Sequence, residues 1–466
     1  MLRRGCALAT LATQRPAAVA LLHGHYASTL QQQQQALERR KIYVIAGEAS
    51  GDAIGAKVIH ALARKQAQGD PRAQALEFRG VGGPLMCSAG GFASLFPMHE
   101  LSVMGLVEVL PFLWRFRQRI HATLADIRAF EPDVVLTIDS KGFTFRVLKA
   151  LYADPVTRDT ITRMHYVAPS VWAYTHRRKN DFTELSRLLH RMFTVLPFED
   201  AIFNAKHGHK ALDGSDGGDD DHWCQFVGHP AVEDFLEFHD QFDGQDENKA
   251  RKASAGESDD FTSGNEIETK VAIGADALLD LSKYNWSHIE AHGNTFEGLM
   301  HQGRDAATTQ ATRARFGIPE NAIVICALVG SRANEVRKTM EIVLEGIDKY
   351  QASIAGTNRQ SADAAIAVSG TIVMETTLAG LPTVVVYRAN RVTEALAQWL
   401  AAVRFVSIPN LLLGRKLLVE DPVASTEDRR ASAMALSTLT KWQQHDGGDS
   451  TKPRRASDAV ADAILR

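Results

Sequence analysis

From Lys41 onward the chain alternates short apolar runs with longer stretches of helical period. KIYVIAG is β-branched and ends in glycine, as expected of a buried first parallel strand; Ile54, Val58, Ile59 and Leu62 then recur at helical spacing. Further short runs follow: FRGVGG near Val81, DVVLTID ending at Asp139, MHYVAP near Val167, MFTVLP near Val195 and QFVGH near Val227. Helix-length segments separate most of them. Strands and helices alternating in this way predict a doubly wound α/β domain over 41–235.

A second α/β unit starts near Ala311 and is assigned 311–466. Its pattern reads strand Ile323–Val329, helix about Ala333–Tyr350, strand Ala364–Ser369, helix Thr371–Gly380 and strand Pro382–Tyr387. A helix over Val392–Ala402, a short strand in FVSIP and C-terminal helices complete it. Four strands are fewer than the roughly six of a complete nucleotide-binding half, so this domain reads as truncated. Between the units, 236–310 is a polar, Ser/Gly/Asp/Glu-rich linker, and Asp213–Asp221 packs charge and glycine together. Both are expected to be largely disordered, because little apolar area is available to offset chain entropy. A weak helical patch around Ala275–Leu281 is the expected exception.

Composition narrows the class. A length of 466 residues exceeds one ordinary core and fits two domains. A net charge of -3 lacks the basic footprint that nucleic-acid binding requires. Cys6, Cys87, Cys224 and Cys326 are scattered without a CxxC pair, which suits free thiols in a reducing compartment better than disulfides or zinc. Residues 1–40 differ from the rest. They carry Arg3, Arg4 and Arg15 with no acidic residue before Glu38, the pattern of an organellar transit peptide. Mitochondrial import is the expected address, with the plastid as alternative and an addressless tail as the plain reading. The apolar stretch Ala17–Leu22 is far short of the roughly 20 residues that span a bilayer.

The turn IAGEASGD, Ile45–Asp52, joins the first strand to the first helix. Its backbone N–H groups at a helix N-terminus favour an anion, but Glu48 and Asp52 would repel a bare pyrophosphate. It is neither a Walker loop nor a GxGxxG fingerprint. An acidic glycine loop suits a sugar, because carboxylates accept hydrogen bonds from hydroxyls.

Nine segments then occur in order. They are IAGEASGD, GVGGPLM (Gly80–Met86), LSVMGLVEVL (Leu101–Leu110), HYVAPSVWAY (His165–Tyr174), LPFE (Leu196–Glu199), FVGHP (Phe226–Pro230), GSR (Gly330–Arg332), SGT...E (Ser369–Glu375) and VSIPNLL (Val406–Leu412). Together they resemble the lipid-A-disaccharide synthase family, over roughly 41–235 and 311–415. The resemblance implies a GT-B fold, two Rossmann-like domains facing a cleft. It also implies an inverting, metal-independent glycosyltransferase that needs no cofactor. The implied reaction moves 2,3-diacylglucosamine from its UDP donor to 2,3-diacylglucosamine 1-phosphate, giving the β-1,6 disaccharide 1-phosphate and UDP.

Glycosyl transfer needs a base for the acceptor hydroxyl and a counter-charge for the departing diphosphate. Asp139 ends a strand at the edge where α/β folds bind ligands, and it is the first candidate for the base or its orienting partner. Capping of the following turn is its plain alternative. The bacterial pattern has a second aspartate three residues on, where this chain has Gly142. Glu48 is the next candidate, with Ser50, Gly51 and Asp52 holding the acceptor; a purely conformational role in the turn competes. Gly330, Ser331 and Arg332 follow a strand, and the Arg332 fork suits the UDP phosphates unless it merely caps the sheet edge. The resemblance assigns Glu375 to the donor's ribose hydroxyls and Asn410 to the cleft lining. His165, His176 and His229 read as structural, and no cluster has metal spacing.

Both implied substrates carry acyl chains. The apolar run Leu101–Leu113, followed by Trp114, Arg115, Phe116, Arg117 and Arg119, suits peripheral attachment to a membrane; an ordinary core helix with a basic end is the alternative. Two other functions fit the pattern: a catalytically silent acyl-sugar-binding relative, and another GT-B UDP-hexosamine enzyme.

Overall fold

The computed structural model describes residues 39–239 except 74, 102–112, 175–180 and 206–222, and then shorter stretches. These are chiefly 276–279, 286–302, 306–319, 324–330, parts of 336–345, 362–386 apart from 369, 407–415, 426–442 and 453–466. The expected leader, the Asp213–Asp221 segment, His176 and the Val392–Ala402 helix lie outside the described residues.

All six expected strands of the first unit form: β1 Arg39–Ala46, β2 Ala75–Val81, β3 Val134–Ile138, β4 Thr162–Tyr166, β5 Arg191–Thr194 and β6 Cys224–Phe226. They make one parallel sheet in the order β2-β1-β3-β4-β5-β6. Helices over Ala49–Ala67, Leu113–Phe130, Lys141–Ala153 and Asp181–Leu188 are among those joining them. Ile42, Val44 and Ala46 belong to one apolar cluster, whereas Tyr43 and Ile45 belong to a second. Successive strand residues point to opposite faces, so a strand covered on both sides must be apolar throughout. Each such fully buried aliphatic side chain contributes roughly 1.5–3 kcal/mol.

The second unit has a parallel sheet β7-β8-β9, formed by Val324–Leu328, Ala362–Val368 and Thr383–Val386. The helix Thr371–Leu378 follows β8 as expected. FVSIP is a correction. Ser407 is an extended N-cap, Pro409 lies in the first turn, and Ile408–Leu413 is a helix ended by Gly414 at φ 61. A proline in a first helical turn costs nothing, because the N–H it lacks has no partner there. A Cβ on Gly414 would come within 2.2 Å of the Ala277 backbone N, which fixes glycine at this left-handed cap.

The linker expectation also needs correction. Within 236–310, Trp286–Gln302 is a helix that buries Ile289, Phe296, Leu299 and Met300. That stripe at helical spacing is sparse among polar residues, which hid it in the composition. Residues 276–279, expected to be helical, form a turn at Asp276 and bends at Leu278 and Leu279 instead. The C-terminal helix Ala456–Leu465, assigned by chain order to the second unit, packs on the Ala49–Ala67 and Pro230–Phe238 helices of the first. Ser457 donates from N–H and Oγ to Glu233 at 3.1 and 2.5 Å, and Lys65 pairs with Asp462 at 2.8 Å.

Candidate functional site

The sheet order reverses direction between β1 and β3, since the chain leaves β1 for β2 on one side and then returns to the other. Ligands of open α/β sheets bind in the crevice that such a reversal opens at the carboxyl ends of the strands. Ala46 pairs with Ile138 in register, so Gly47 and Asp139 are the next residues beyond the two strands. A Cβ built on Gly47 would fall 2.2 Å from Ser140 Oγ, which measures how closely the two loops approach. The acidic glycine turn and the Asp139 loop therefore share one edge.

Glu48 precedes the Ala49–Ala67 helix with extended backbone, and its side chain makes no capping bond. Helix capping does not explain its presence. Asp139 and Ser140 both take left-handed conformations, φ 45 and 49, before the Lys141–Ala153 helix. Two consecutive non-glycine residues in that region cost conformational energy and occur where the surroundings impose them, often at ligand sites. Asp139 donates its N–H to Tyr166 O at 3.0 Å and accepts Thr144 Oγ1 on its carbonyl at 2.9 Å, which pins the loop. Ser140, at the N-cap, gives no side-chain capping bond.

The other acceptor-side candidates have different surroundings. Asp52 is 2% exposed and accepts the backbone N–H groups of Gly83, Leu85 and Met86 at 2.8, 3.0 and 3.0 Å. Its oxygens therefore hold the GVGGPLM loop at the end of β2. Gly51 is buried where the first helix crosses the sheet; a Cβ there would meet Ala46 Cβ at 3.3 Å and Ile138 O at 3.6 Å. Ser50 is half-buried at the same helix start. Gly142 is exposed, and the Arg146 guanidinium donates to its carbonyl.

In the second unit, Gly330 lies just past β7 at φ 98, and Ser331 and Arg332 lie outside the described residues. Glu375 sits on the Thr371–Leu378 helix, which packs against Pro230–Phe238 of the first unit. Burial pushes its carboxyl up, Asp234 adds to that, and Lys57 opposes it. Its charged surroundings thus include the Lys57–Asp234 ion pair, at 2.5 Å. Asn410 is buried in the Ile408–Leu413 helix.

Two of the three histidines expected to be structural are described. His165 is buried with Nδ1 2.8 Å from Thr137 Oγ1, and burial lowers its pKa to about 3. His229 caps its helix by accepting Ala231 N–H at 3.2 Å, and burial lowers it to about 4. Among the described residues, no group of three or more His, Cys, Asp or Glu side chains could hold a metal ion.

Sequence reasoning missed Glu199. It is 1% exposed and accepts Trp172 Nε1–H at 2.9 Å and Leu196 N–H at 3.1 Å. Burial pushes its carboxyl up to about 7, against the opposing effect of Trp172 and the Leu196 and Val195 N–H groups. The signal was present: Trp172 and Glu199 each belong to a segment quoted above. No spacing rule, however, pairs residues from two different strand ends.

The Glu199 shift predicts a pH effect. From about pH 4.5 to 7 the folded chain keeps a proton that the unfolded chain has lost, so this group's stabilisation is full below that window. It is lost as pH rises through it, by roughly 3 kcal/mol. His165 and His229 act oppositely, their contribution being present above about 6.5 and lost on acidification. Glu199→Gln is therefore expected to remove a downward slope in unfolding free energy between pH 5 and 7.5. Denaturant titrations at several pH values read this out, and a wild-type slope in the variant would refute it.

The chain matches the family model described as Lipid-A-disaccharide synthetase over residues 42–253 and 355–457. It is 33% identical to the lipid-A-disaccharide synthase of Granulibacter bethesdensis over 433 residues, covering 91% of this chain and 92% of that one. It is 30% identical to the probable lipid-A-disaccharide synthase, mitochondrial, of Arabidopsis thaliana over 383 residues, covering 82% of this chain and 75% of that one. A UDP-GlcNAc 2-epimerase from Neisseria meningitidis aligns over 92% of this chain and 99% of its own at 10% identity and a TM-score of 0.40.

Proposed function

The chain belongs to the lipid-A-disaccharide synthase family, and from that premise we propose that it transfers 2,3-diacylglucosamine from a UDP donor to 2,3-diacylglucosamine 1-phosphate. The observation that carries the reading is the meeting of the Glu48 turn and the strained Asp139 loop at the reversal point of the first sheet. In the proposed step the acceptor 6-hydroxyl attacks the donor's anomeric carbon. The bond from that carbon to the diphosphate oxygen breaks, and UDP departs with the bonding pair. Asp139 takes the hydroxyl proton, and Glu48 holds acceptor hydroxyls beside it. Arg332 is proposed to neutralise the diphosphate, and Glu375 and Asn410 to hold the nucleoside. Ser50 keeps an acceptor role, as do Gly51 and Asp52 through the loop geometry they support.

The two-domain reading places acceptor binding in 41–235 and donor binding from 311 onward. An organelle form is supported by the relative named mitochondrial, and import through residues 1–40 is proposed on that basis. Peripheral membrane contact is proposed at the start of the Leu113–Phe130 helix, where Trp114 is 71% exposed beside exposed Arg115 and Arg117. Trp114→Ser is expected to lower co-sedimentation with anionic vesicles several-fold; unchanged sedimentation would remove the proposal. Among the described residues no helix is long and apolar enough to cross a membrane.

The deciding experiment incubates the protein with UDP-2,3-diacylglucosamine and 2,3-diacylglucosamine 1-phosphate. UDP release with disaccharide formation is expected. Binding without turnover would favour a catalytically silent relative, the reading that Gly142 motivates. Turnover of unacylated UDP-N-acetylglucosamine would point to another UDP-hexosamine enzyme.

A further inference from the structure

Glu199 takes no chemical role above, yet a carboxylate in an apolar interior is expensive and needs a reason. Its acceptor bonds from Trp172 Nε1–H and Leu196 N–H reach two loops. Leu196 and Val195 belong to the segment leaving β5, and Trp172 to the turn Val171–Tyr174 in the segment leaving β4. Glu199 thus ties together the ends of two neighbouring strands on the carboxyl side of the sheet. Above about pH 7 Glu199 is a carboxylate and offers acceptor oxygens alone, so glutamine would turn a donor toward an N–H group.

The loop it secures is unusual. Val167, the first residue past β4, is β-branched and stands at φ 69, a conformation such residues adopt only under constraint. Its N–H donates to Phe193 O at 3.0 Å. Trp172 is buried, with its ring edge-on to Phe198 at a centroid distance of 5.0 Å. The strand the loop leaves lies beside β3, and its last carbonyl, Tyr166 O, receives the Asp139 N–H. Between the strained start and the anchored tryptophan, Ser170 is exposed at the rim.

We propose that the Glu199–Trp172 pair is a brace that positions the Val167–Tyr174 loop as the acceptor-side wall of the crevice, and so sets acceptor affinity without touching the reacting atoms. The inference rests on the transferase reading. A merely structural pair would lower the amount of folded enzyme and leave both Michaelis constants alone. A positioning pair alters one substrate selectively.

Trp172→Phe keeps an aromatic side chain and removes the indole N–H together with the pyrrole ring; Glu199→Gln keeps the shape and breaks the acceptor set. Each is expected to raise KM for 2,3-diacylglucosamine 1-phosphate about tenfold, a loss of the size of one charge-assisted hydrogen bond. The value of kcat is expected to stay within twofold and the donor KM to stay unchanged. Unchanged acceptor KM in both variants would overturn the proposal, as would equal shifts for both substrates. Hydrogen exchange of amides 171–174, measured in the intact variants, is independent of turnover and is expected to quicken at least tenfold in Trp172→Phe. Wild-type exchange there refutes the brace whether or not the wild-type protein transfers sugar. If the wild-type protein proves inactive, the transferase reading fails alone, and calorimetric binding of the same acceptor to wild type and Trp172→Phe decides the brace. A tenfold weaker Kd supports it, and equal affinity overturns it.

Discussion

Asp139→Asn is expected to cut disaccharide formation by 100- to 10,000-fold, the range a positioned general base supplies. The loss should fall on kcat, with both substrates still bound, because the amide keeps the size of the side chain and removes only its capacity to take a proton. The backbone of Asp139 secures the loop through Tyr166 and Thr144. Steady-state kinetics with both acylated substrates provides the measurement. Activity within tenfold of wild type would move the base elsewhere, and Glu48→Gln would then be the variant expected to show the large loss. Gly142 sharpens the test, because this chain offers no second acid at that position to substitute for Asp139.

Asp52→Ala is expected to unfold the protein more easily by roughly 3–5 kcal/mol. The carboxylate is the shared acceptor for Gly83, Leu85 and Met86 N–H groups, and its removal leaves buried donors without partners. Asp52→Asn retains one acceptor oxygen and should lose less. Urea unfolding of the pair reports the difference. If the alanine variant kept wild-type stability and lost only acceptor binding, Asp52 would be a direct sugar ligand rather than the support of its neighbours.

Tertiary contacts separate two residues that share one turn in the sequence. Glu48 and Asp52 stand in one acidic glycine turn, and hydroxyl recognition was the common reading for both. One turn of helix divides them. Glu48 is half-buried at the helix start, whereas Asp52 faces the β2 loop and is spent on backbone N–H groups. That orientation depends on where the GVGGPLM loop packs, a contact across 31 residues for the closest bond. The Glu199–Trp172 pair has the same character, joining residues 27 apart in chain and adjacent only through strand order.

Local pattern alone determined the six strands of the first sheet, the three described strands of the second, and the helices Ala49–Ala67 and Thr371–Leu378. Parallel strands buried on both faces must be apolar runs, and their intervening helices must repeat at helical period. The same pattern misread FVSIP, where a proline that suits a first helical turn looks like the end of a strand. It also missed the Trp286–Gln302 helix, whose sparse apolar stripe is stabilised by burial rather than by its composition. Tertiary structure decided which carboxylates are committed to holding loops and which stand at the reversal of the sheet. It also decided that the last helix of the chain joins the first unit, through Glu233, Lys65 and Asp462. The physical reason is that a side chain's role follows from the groups that meet it in space, and strand order brings those together from distant parts of the chain.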